Sequence, residues 1–178
     1  MTCDVDTVLF RRLYVLVFIH HDTRLVRIAG ITSNPVTSWV TQQARNLSME
    51  LADQANAVRF LIRDRDAECT ASFDAVFDAD NTRIVTTPVR APPANAICER
   101  VIGTIGRECL ERMLILGRRH LEAVPAEYGN AHRPHRFLGQ RSPFAFDATP
   151  APIDDIDPAT LRRTDCPGGL IHEYRMAA

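Results

Sequence analysis

Apolar and polar positions alternate with a changing period along this chain, and each change of period marks an element. A short apolar segment, Val5 to Leu9, meets a polar break at Arg11-Arg12, and an almost uniformly apolar run follows from Leu13 to Ile19. After His20-His21-Asp22-Thr23, the stretch Arg24 to Ile31 sets Leu25, Arg27 and Ala29 against Val26, Ile28 and Gly30. Such segments separated by polar turns predict a three-stranded antiparallel meander. The uniformly apolar second segment predicts a central strand buried on both faces. Ser33-Asn34-Pro35 offers helix-start chemistry, and Val36, Trp39, Val40, Ala44, Leu47 and Leu51 recur at helical spacing. An amphipathic helix from about Pro35 to Ala52, with Trp39 in its core-facing stripe, is the consequence.

Farther along, Val58, Phe60, Leu61 and Ile62 run into Arg63-Asp64-Arg65-Asp66, the pattern of a core strand ending at a polar edge. A short helix is expected from about Ala71 to Phe77 and a fifth strand at Ile84 to Thr87, while Pro88 with Pro92-Pro93 keeps the next connection out of helix. Asn95 opens a long helical stretch to about Leu116. One face of it carries Ile97, Val101, Ile105 and Met113, the other Glu99, Arg100, Thr104, Arg107, Glu108, Glu111 and Arg112. A further helix from about Arg118 to Tyr128 precedes a Pro-rich stretch, and the acidic segment Asp147 to Asp157 reads as a linker or cover strand. The chain divides into a core over residues 1–145 and a C-terminal acidic tail or extension over 146–178.

Composition narrows the class. A chain of 178 residues, 46% apolar and 24% charged, supports one core. Its longest apolar run, Leu13 to Ile19, falls far short of the roughly 20 residues a bilayer span needs, and no signal-peptide pattern follows Met1. The five cysteines (Cys3, Cys69, Cys98, Cys109, Cys166) include no C-x-x-C pair, so buried thiols in a reducing cytoplasm are expected rather than disulfides or a zinc knuckle. The net charge of −1 conceals an asymmetry: residues 1–82 carry −3, residues 83–141 carry +5 and residues 142–178 carry −3. All 21 basic residues are Arg, so any contact with a polyanion is made by guanidinium forks.

Three carboxylates fall at informative places in this order. Asp6 lies on the first strand, Asp64 at the end of the fourth and Glu99 in the first turn of the long helix. In a mixed five-stranded sheet with the first and fourth strands adjacent, the two Asp would project from neighbouring strands, and a helix across that edge would bring Glu99 to them. Converging carboxylates repel, so one takes a proton or the group binds a hard cation, and oxygen-only ligands favour Mg²⁺ or Mn²⁺. Two such ions about 3.5–4 Å apart clamp both oxygens of an in-line phosphoryl displacement.

The strings Leu61-Ile-Arg-Asp-Arg-Asp-Ala-Glu-Cys69, Pro93-Ala-Asn-Ala-Ile-Cys-Glu-Arg-Val-Ile-Gly-Thr-Ile-Gly-Arg-Glu108 and Asn130-Ala-His-Arg-Pro-His-Arg-Phe-Leu138 with Pro143 resemble the catalytic core of bacterial insertion-sequence transposases and retroviral-type integrases. The resemblance covers about Asp4 to Phe144. It implies an α/β, ribonuclease-H-like fold with the three-stranded meander flanked by helices, and an Asp, Asp, Glu triad holding two Mg²⁺ or Mn²⁺ ions. Residue by residue the triad falls on Asp6, with Asp4 as competitor on the same strand face, on Asp64, followed by Glu68, and on Glu99, 35 positions after Asp64. The implied activity is metal-dependent DNA nicking and strand transfer, in transposition or integration. The implied partners are element ends and target DNA, further copies of the chain and a separate DNA-binding subunit or domain. The implied place is a bacterial cytoplasm, at the nucleoid when bound to DNA.

Departures from the family pattern are Cys69 where an aromatic is usual, Asp66 where Gly is common, and a start at Met1 with no helix-turn-helix region ahead of the first strand. They keep a second reading open, a truncated, non-catalytic remnant that folds and binds DNA or a full-length transposase. DNA-contact candidates are Arg100 and Arg107 on the exposed helix face, with Arg133 and His135. The alternative for the helix is i,i+4 pairing of Arg107 with Glu111 and Glu108 with Arg112. For Asn130 to His135 it is a rigid helix-ending turn, and for His20-His21-Asp22 it is a polar hairpin rather than a metal site.

Overall fold

The computed structural model describes residues 2–52, 58–66, 69–88, 95–147, 160–166 and 169–176. Strands β1 (Thr2–Asp6), β2 (Arg12–Ile19) and β3 (Val26–Thr32) form the expected antiparallel meander in the order β1-β2-β3. Helix α1 (Thr37–Ala52) follows, then β4 (Phe60–Arg63), α2 (Ala71–Ala79) and β5 (Arg83–Thr86). Helices α3 (Ala96–Glu108) and α4 (Arg118–Glu127) precede a π-helical turn at Tyr128–His132, and β6 (Leu161–Cys166) pairs antiparallel with β7 (Ile171–Met176). Among the described residues no helix is long and apolar enough to cross a membrane.

Strand β2 organises the molecule. Val15 and Val17 point into one core with Val26, Val101, Ile105, Leu121 and Val124, while Leu16 points into a second with Val40, Ala44, Leu47, Phe73 and Phe77. Successive side chains on a strand face opposite ways, so a uniformly apolar run in the middle of a sheet feeds two cores at once. Helix α1 buries Val40, Thr41, Ala44 and Leu47 at helical spacing and lies close on β3. A Cβ on Gly30 would come within 2.9 Å of the Trp39 ring and 2.8 Å of Gln43 Oε1, so this close approach requires glycine. Helices α3 and α4 cover the opposite face.

Several expectations are corrected. The apolar residues Val8 and Leu9 are not strand: β1 ends at Asp6, and Thr7 to Arg11 form a turn closed by Thr7 N–H on the Arg11 carbonyl, with Leu9 and Phe10 exposed. The long helix stops at Glu108, because Cys109 leaves helical geometry and a 3-10 turn at Leu110–Arg112 follows. The sheets are also separate. Strands β4 and β5 pair in parallel, joined through α2, and among the described residues no ladder connects β1 to β4. Helix α3 packs Val101 and Ile105 into the core of the three-stranded sheet, while Phe60 and Ile62 of β4 are exposed.

Most of the segment Asp147 to Asp157 lies outside the described residues, as do Glu68 and Pro92-Pro93. Beyond it, the β6–β7 hairpin was not anticipated, although Pro167-Gly168-Gly169 is a turn signal between two alternating runs. Its Leu170 and Ile171 pack against the first core.

Candidate active site

Alternation along β1 turns Asp4 and Asp6 outward and Cys3 and Val5 toward the core. Asp6 lies opposite Arg12 in the β1–β2 ladder, and the pairing becomes a fork: Nε donates to Oδ1 at 3.1 Å and Nη2 to Oδ2 at 3.3 Å. The guanidinium holds the Asp6 carboxyl below the usual carboxylate range. Asp4 has only a longer contact with the same Arg12, 3.6 Å from Nε to Oδ2.

Asp64 follows the last residue of β4. Its backbone is fixed through Arg63, whose guanidinium grips Asp74 of α2 at 2.8 and 2.6 Å and donates from Nη1 to the Asp64 carbonyl at 2.9 Å. The side chain is treated differently. Oδ1 of Asp64 is buried and has no hydrogen-bond partner among the described residues, a costly state for a carboxylate unless a cation joins it. Glu99 is exposed in the first turn of α3, next to Cys98. The Cys98 thiol is pushed up chiefly by burial and further by the negative charges of Asp64 and Glu99. Cys98 in turn raises the Cys3 thiol, itself pushed up to about 11 mainly by burial. Arg63 at the end of β4 and Cys98 at the start of α3 line one cleft, and Cys3 of β1 packs against the core that Val101 and Ile105 of α3 enter, so the three elements meet around one corner.

A cleft of about 580 Å³ opens beside this corner, between the far half of β2, strand β4 and the start of α3, with Asn95, Ile97 and Cys98 on its wall. Asp64 and Glu99 both act electrostatically on Cys98, but among the described residues Asp6, Asp64 and Glu99 do not form a group of close ligand atoms. Among the described residues, the one group of three His, Cys, Asp or Glu side chains with ligand atoms within 4.8 Å of one another is Glu127, His132 and Cys166. The donor set at the corner is one of oxygens, which suits a hard divalent cation: Asp64 offers a buried oxygen without a partner among the described residues and Glu99 an exposed carboxylate, whereas both Asp6 oxygens are engaged by Arg12.

The DNA-contact candidates separate into two kinds. Arg100 and Arg107 are exposed on α3, and the Arg107 guanidinium lies over Gly103, 3.1 Å from where a Cβ would stand. The i,i+4 pairs are replaced, because the helix ends before they can form. Glu108 accepts a hydrogen bond from the Tyr128 hydroxyl, and Arg112 Nε donates to the Arg107 carbonyl at 3.3 Å.

Arg133 and His135, by contrast, are interior residues, 7% and 6% exposed, and present neither guanidinium nor imidazole to a ligand on the surface. Arg133 Nη1 lies 2.9 Å from His135 Nδ1 and Nη2 reaches Thr104 Oγ1 at 3.4 Å. Burial, then the positive charges of Arg133 and Arg24, push the imidazole down to about 4, so it is neutral at neutral pH and accepts from Arg133. Asn130 belongs to the same turn. Its Oδ1 accepts the Val26 N–H at 2.7 Å and its Nδ2 donates to the Val26 carbonyl at 2.8 Å, so the amide pairs with β3 as another strand would. His20-His21-Asp22 forms the polar hairpin, with His20 Nδ1 accepting the Thr23 N–H at 3.3 Å.

The sequence matches no protein-family model and no curated protein. In three dimensions the chain is similar to a chain of the simian T-cell lymphotropic virus intasome in complex with the PP2A regulatory subunit B56 gamma, with a TM-score of 0.63, 14% identity and 90% of this chain covered. It spans 57% of the length of that relative. It is also similar to the HTLV-2 integrase catalytic core domain in complex with magnesium, at a TM-score of 0.56 and 8% identity over 82% of this chain and 91% of that one. The BIV integrase catalytic core gives a TM-score of 0.50 and 12% identity over 80% and 88%. The mixed α/β architecture of this chain is therefore that of the ribonuclease-H-like catalytic cores of retroviral integrases.

Proposed function

We propose that the chain is a polynucleotidyl transferase of the transposase and integrase kind, nicking a DNA end and transferring the freed strand to target DNA. The observation that carries this reading is the buried Asp64 oxygen just after β4, without a hydrogen-bond partner among the described residues, beside a cleft that the end of β4 and the start of α3 both line, in a fold shared with integrase cores. Asp64 and Glu99, completed by Asp6 or by Asp4 on the same face of β1, are the ligands we assign to two Mg²⁺ or Mn²⁺ ions. Bound there, such ions supply Lewis acidity for an in-line phosphoryl displacement. The chain's own part is positional. Arg63, locked on Asp74, sets the Asp64 backbone, and the first turn of α3 presents Glu99. No covalent intermediate is required, and neither thiol near the corner suits one, since burial keeps both Cys3 and Cys98 protonated.

The exposed guanidiniums of Arg100 and Arg107 are assigned to backbone phosphates, positioning DNA without reading its sequence. Joining two ends calls for more than one copy of the chain on DNA, and a separate DNA-binding unit supplies recognition of the ends.

A second reading, a non-catalytic remnant that keeps the fold, is favoured by one feature, the Arg12 fork that occupies both oxygens of Asp6. The two readings part on a labelled DNA end with Mg²⁺ or Mn²⁺. The transferase gives nicked and strand-transfer products that Asp64→Asn and Glu99→Gln abolish, whereas a folded chain that forms none is the remnant.

A further inference from the structure

The β6–β7 hairpin docks where α4 ends, and the junction gathers a set of side chains that the DNA chemistry does not use. Glu127 is the last residue of α4, His132 closes the π-helical turn, Cys166 ends β6 and Glu173 lies on β7. The ladder pairs Glu173 with Thr164, two residues before Cys166, so strand alternation puts Cys166 and Glu173 on one face of the hairpin. Asp165 and His172 occupy the other face, bonded to each other and to Arg163 in solvent.

We propose that Glu127, His132 and Cys166 form a zinc site, with Glu173 positioning the imidazole. Ligand atoms of the three all lie within 4.8 Å of one another. In a tetrahedral zinc site with bonds of about 2.0–2.3 Å they would stand roughly 3.5 Å apart, so a small inward movement closes the shell. The imidazole is nearly enclosed, its side chain 7% exposed, and each nitrogen has a defined neighbour: Nδ1 is 3.2 Å from Glu173 Oε1, and Nε2 is 3.8 Å from Glu127 Oε1. Donation from Nδ1–H to Glu173 leaves Nε2, on the Glu127 side of the ring, as the nitrogen with a lone pair for a metal, the carboxylate–histidine relay that orients metal-binding imidazoles. Glu173 cannot easily become a ligand itself, since its Oε2 accepts from Arg175 Nη2 at 2.8 Å.

Two carboxylates and a thiol surround one imidazole at the junction. A sulfur, nitrogen and oxygen donor set selects Zn²⁺ over Mg²⁺, and three protein ligands leave a fourth position open. Bound there, the metal ties the hairpin to α4. The spacing, five residues and then thirty-four, is not a recognised sequence motif, because three separate elements supply the ligands.

The test is stoichiometric zinc uptake by the metal-free chain, together with the absorption of its Co²⁺ form, in which a thiolate ligand gives a charge-transfer band. One Zn²⁺ per chain and a band that Cys166→Ser removes, but Cys98→Ser does not, are expected. Glu173→Gln should keep the band and weaken affinity by roughly 10- to 100-fold. Alkylation of the wild-type thiols, read by peptide mass spectrometry, covers the case of a variant that does not fold, since zinc should protect Cys166. No zinc uptake, a band that survives Cys166→Ser, or no protection of Cys166 would each overturn the site.

Discussion

The turn holding Asn130, Arg133 and His135 and the corner holding Asp64 and Glu99 carry the two densest motifs of the chain, yet they meet opposite fates. In the turn most polar groups are bonded inside the protein, Asn130 to both backbone groups of Val26, Arg133 to His135 and Thr104, Tyr128 to Glu108, although Arg133 Nε is buried without a partner among the described residues. At the corner Asp64 keeps a buried oxygen with no partner among the described residues, and Glu99 stands exposed. Satisfied polar groups stabilise a fold and have no capacity left for a ligand, whereas a buried group without a partner is one the fold alone does not explain. We read the turn mainly as scaffold and propose the corner as the ligand site.

Substitutions can break that contrast. The largest effect is expected at the corner: Asp64→Asn should lower metal-dependent nicking by roughly 10²–10³-fold or more while thermal unfolding stays within a few degrees of wild type. A large loss of stability instead would make Asp64 a structural residue. Next comes the turn, where Asn130→Ala leaves the buried N–H and C=O of Val26 unpaired and should cost about 2–4 kcal/mol, seen as a lower denaturant midpoint. An unchanged midpoint would show that water replaces the amide.

A third test uses pH. Because the His135 imidazole is lowered from 6.5 to about 4 in the folded chain, its contribution is complete above about 6.5 and is lost as pH falls toward 4. Denaturant titrations across that window should show wild type losing stability on the order of 2 kcal/mol more than His135→Gln. Parallel curves would mean that the ring titrates normally. The smallest effect is at Arg107, where Arg107→Ala should weaken DNA binding uniformly across sequences and reduce the salt slope by about 1. A change confined to one DNA sequence would assign Arg107 to base recognition instead.

Much of this was legible in the sequence, for reasons that differ by element. The meander could be read because β2 is apolar throughout and must be covered on both faces, and α1 because its stripe is regular. β1 was placed too late: Val8 and Leu9 are apolar enough for a strand, but the turn from Thr7 to Arg11 turns Leu9 and Phe10 to solvent. Periodicity carried α3 past its end because Leu110 and Met113 continue the apolar pattern in a non-helical backbone. Asp64 and Glu99 were visible as carboxylates at element ends. What the sequence could not show is the Arg12 fork on Asp6, the separation of β1 from β4 or the burial of Arg133 and His135, since each depends on contacts between distant segments. The Glu127, His132 and Cys166 group was hidden for the same reason.

Mn²⁺ binding followed by electron paramagnetic resonance tests the metal corner most directly, with wild type compared against Asp64→Asn, Glu99→Gln and His135→Gln. The account predicts that the first two substitutions abolish binding of the oxygen-ligated ion and that His135→Gln leaves it intact. Binding that survives both Asp64→Asn and Glu99→Gln would contradict it and leave the unpartnered Asp64 oxygen without a ligand to explain it.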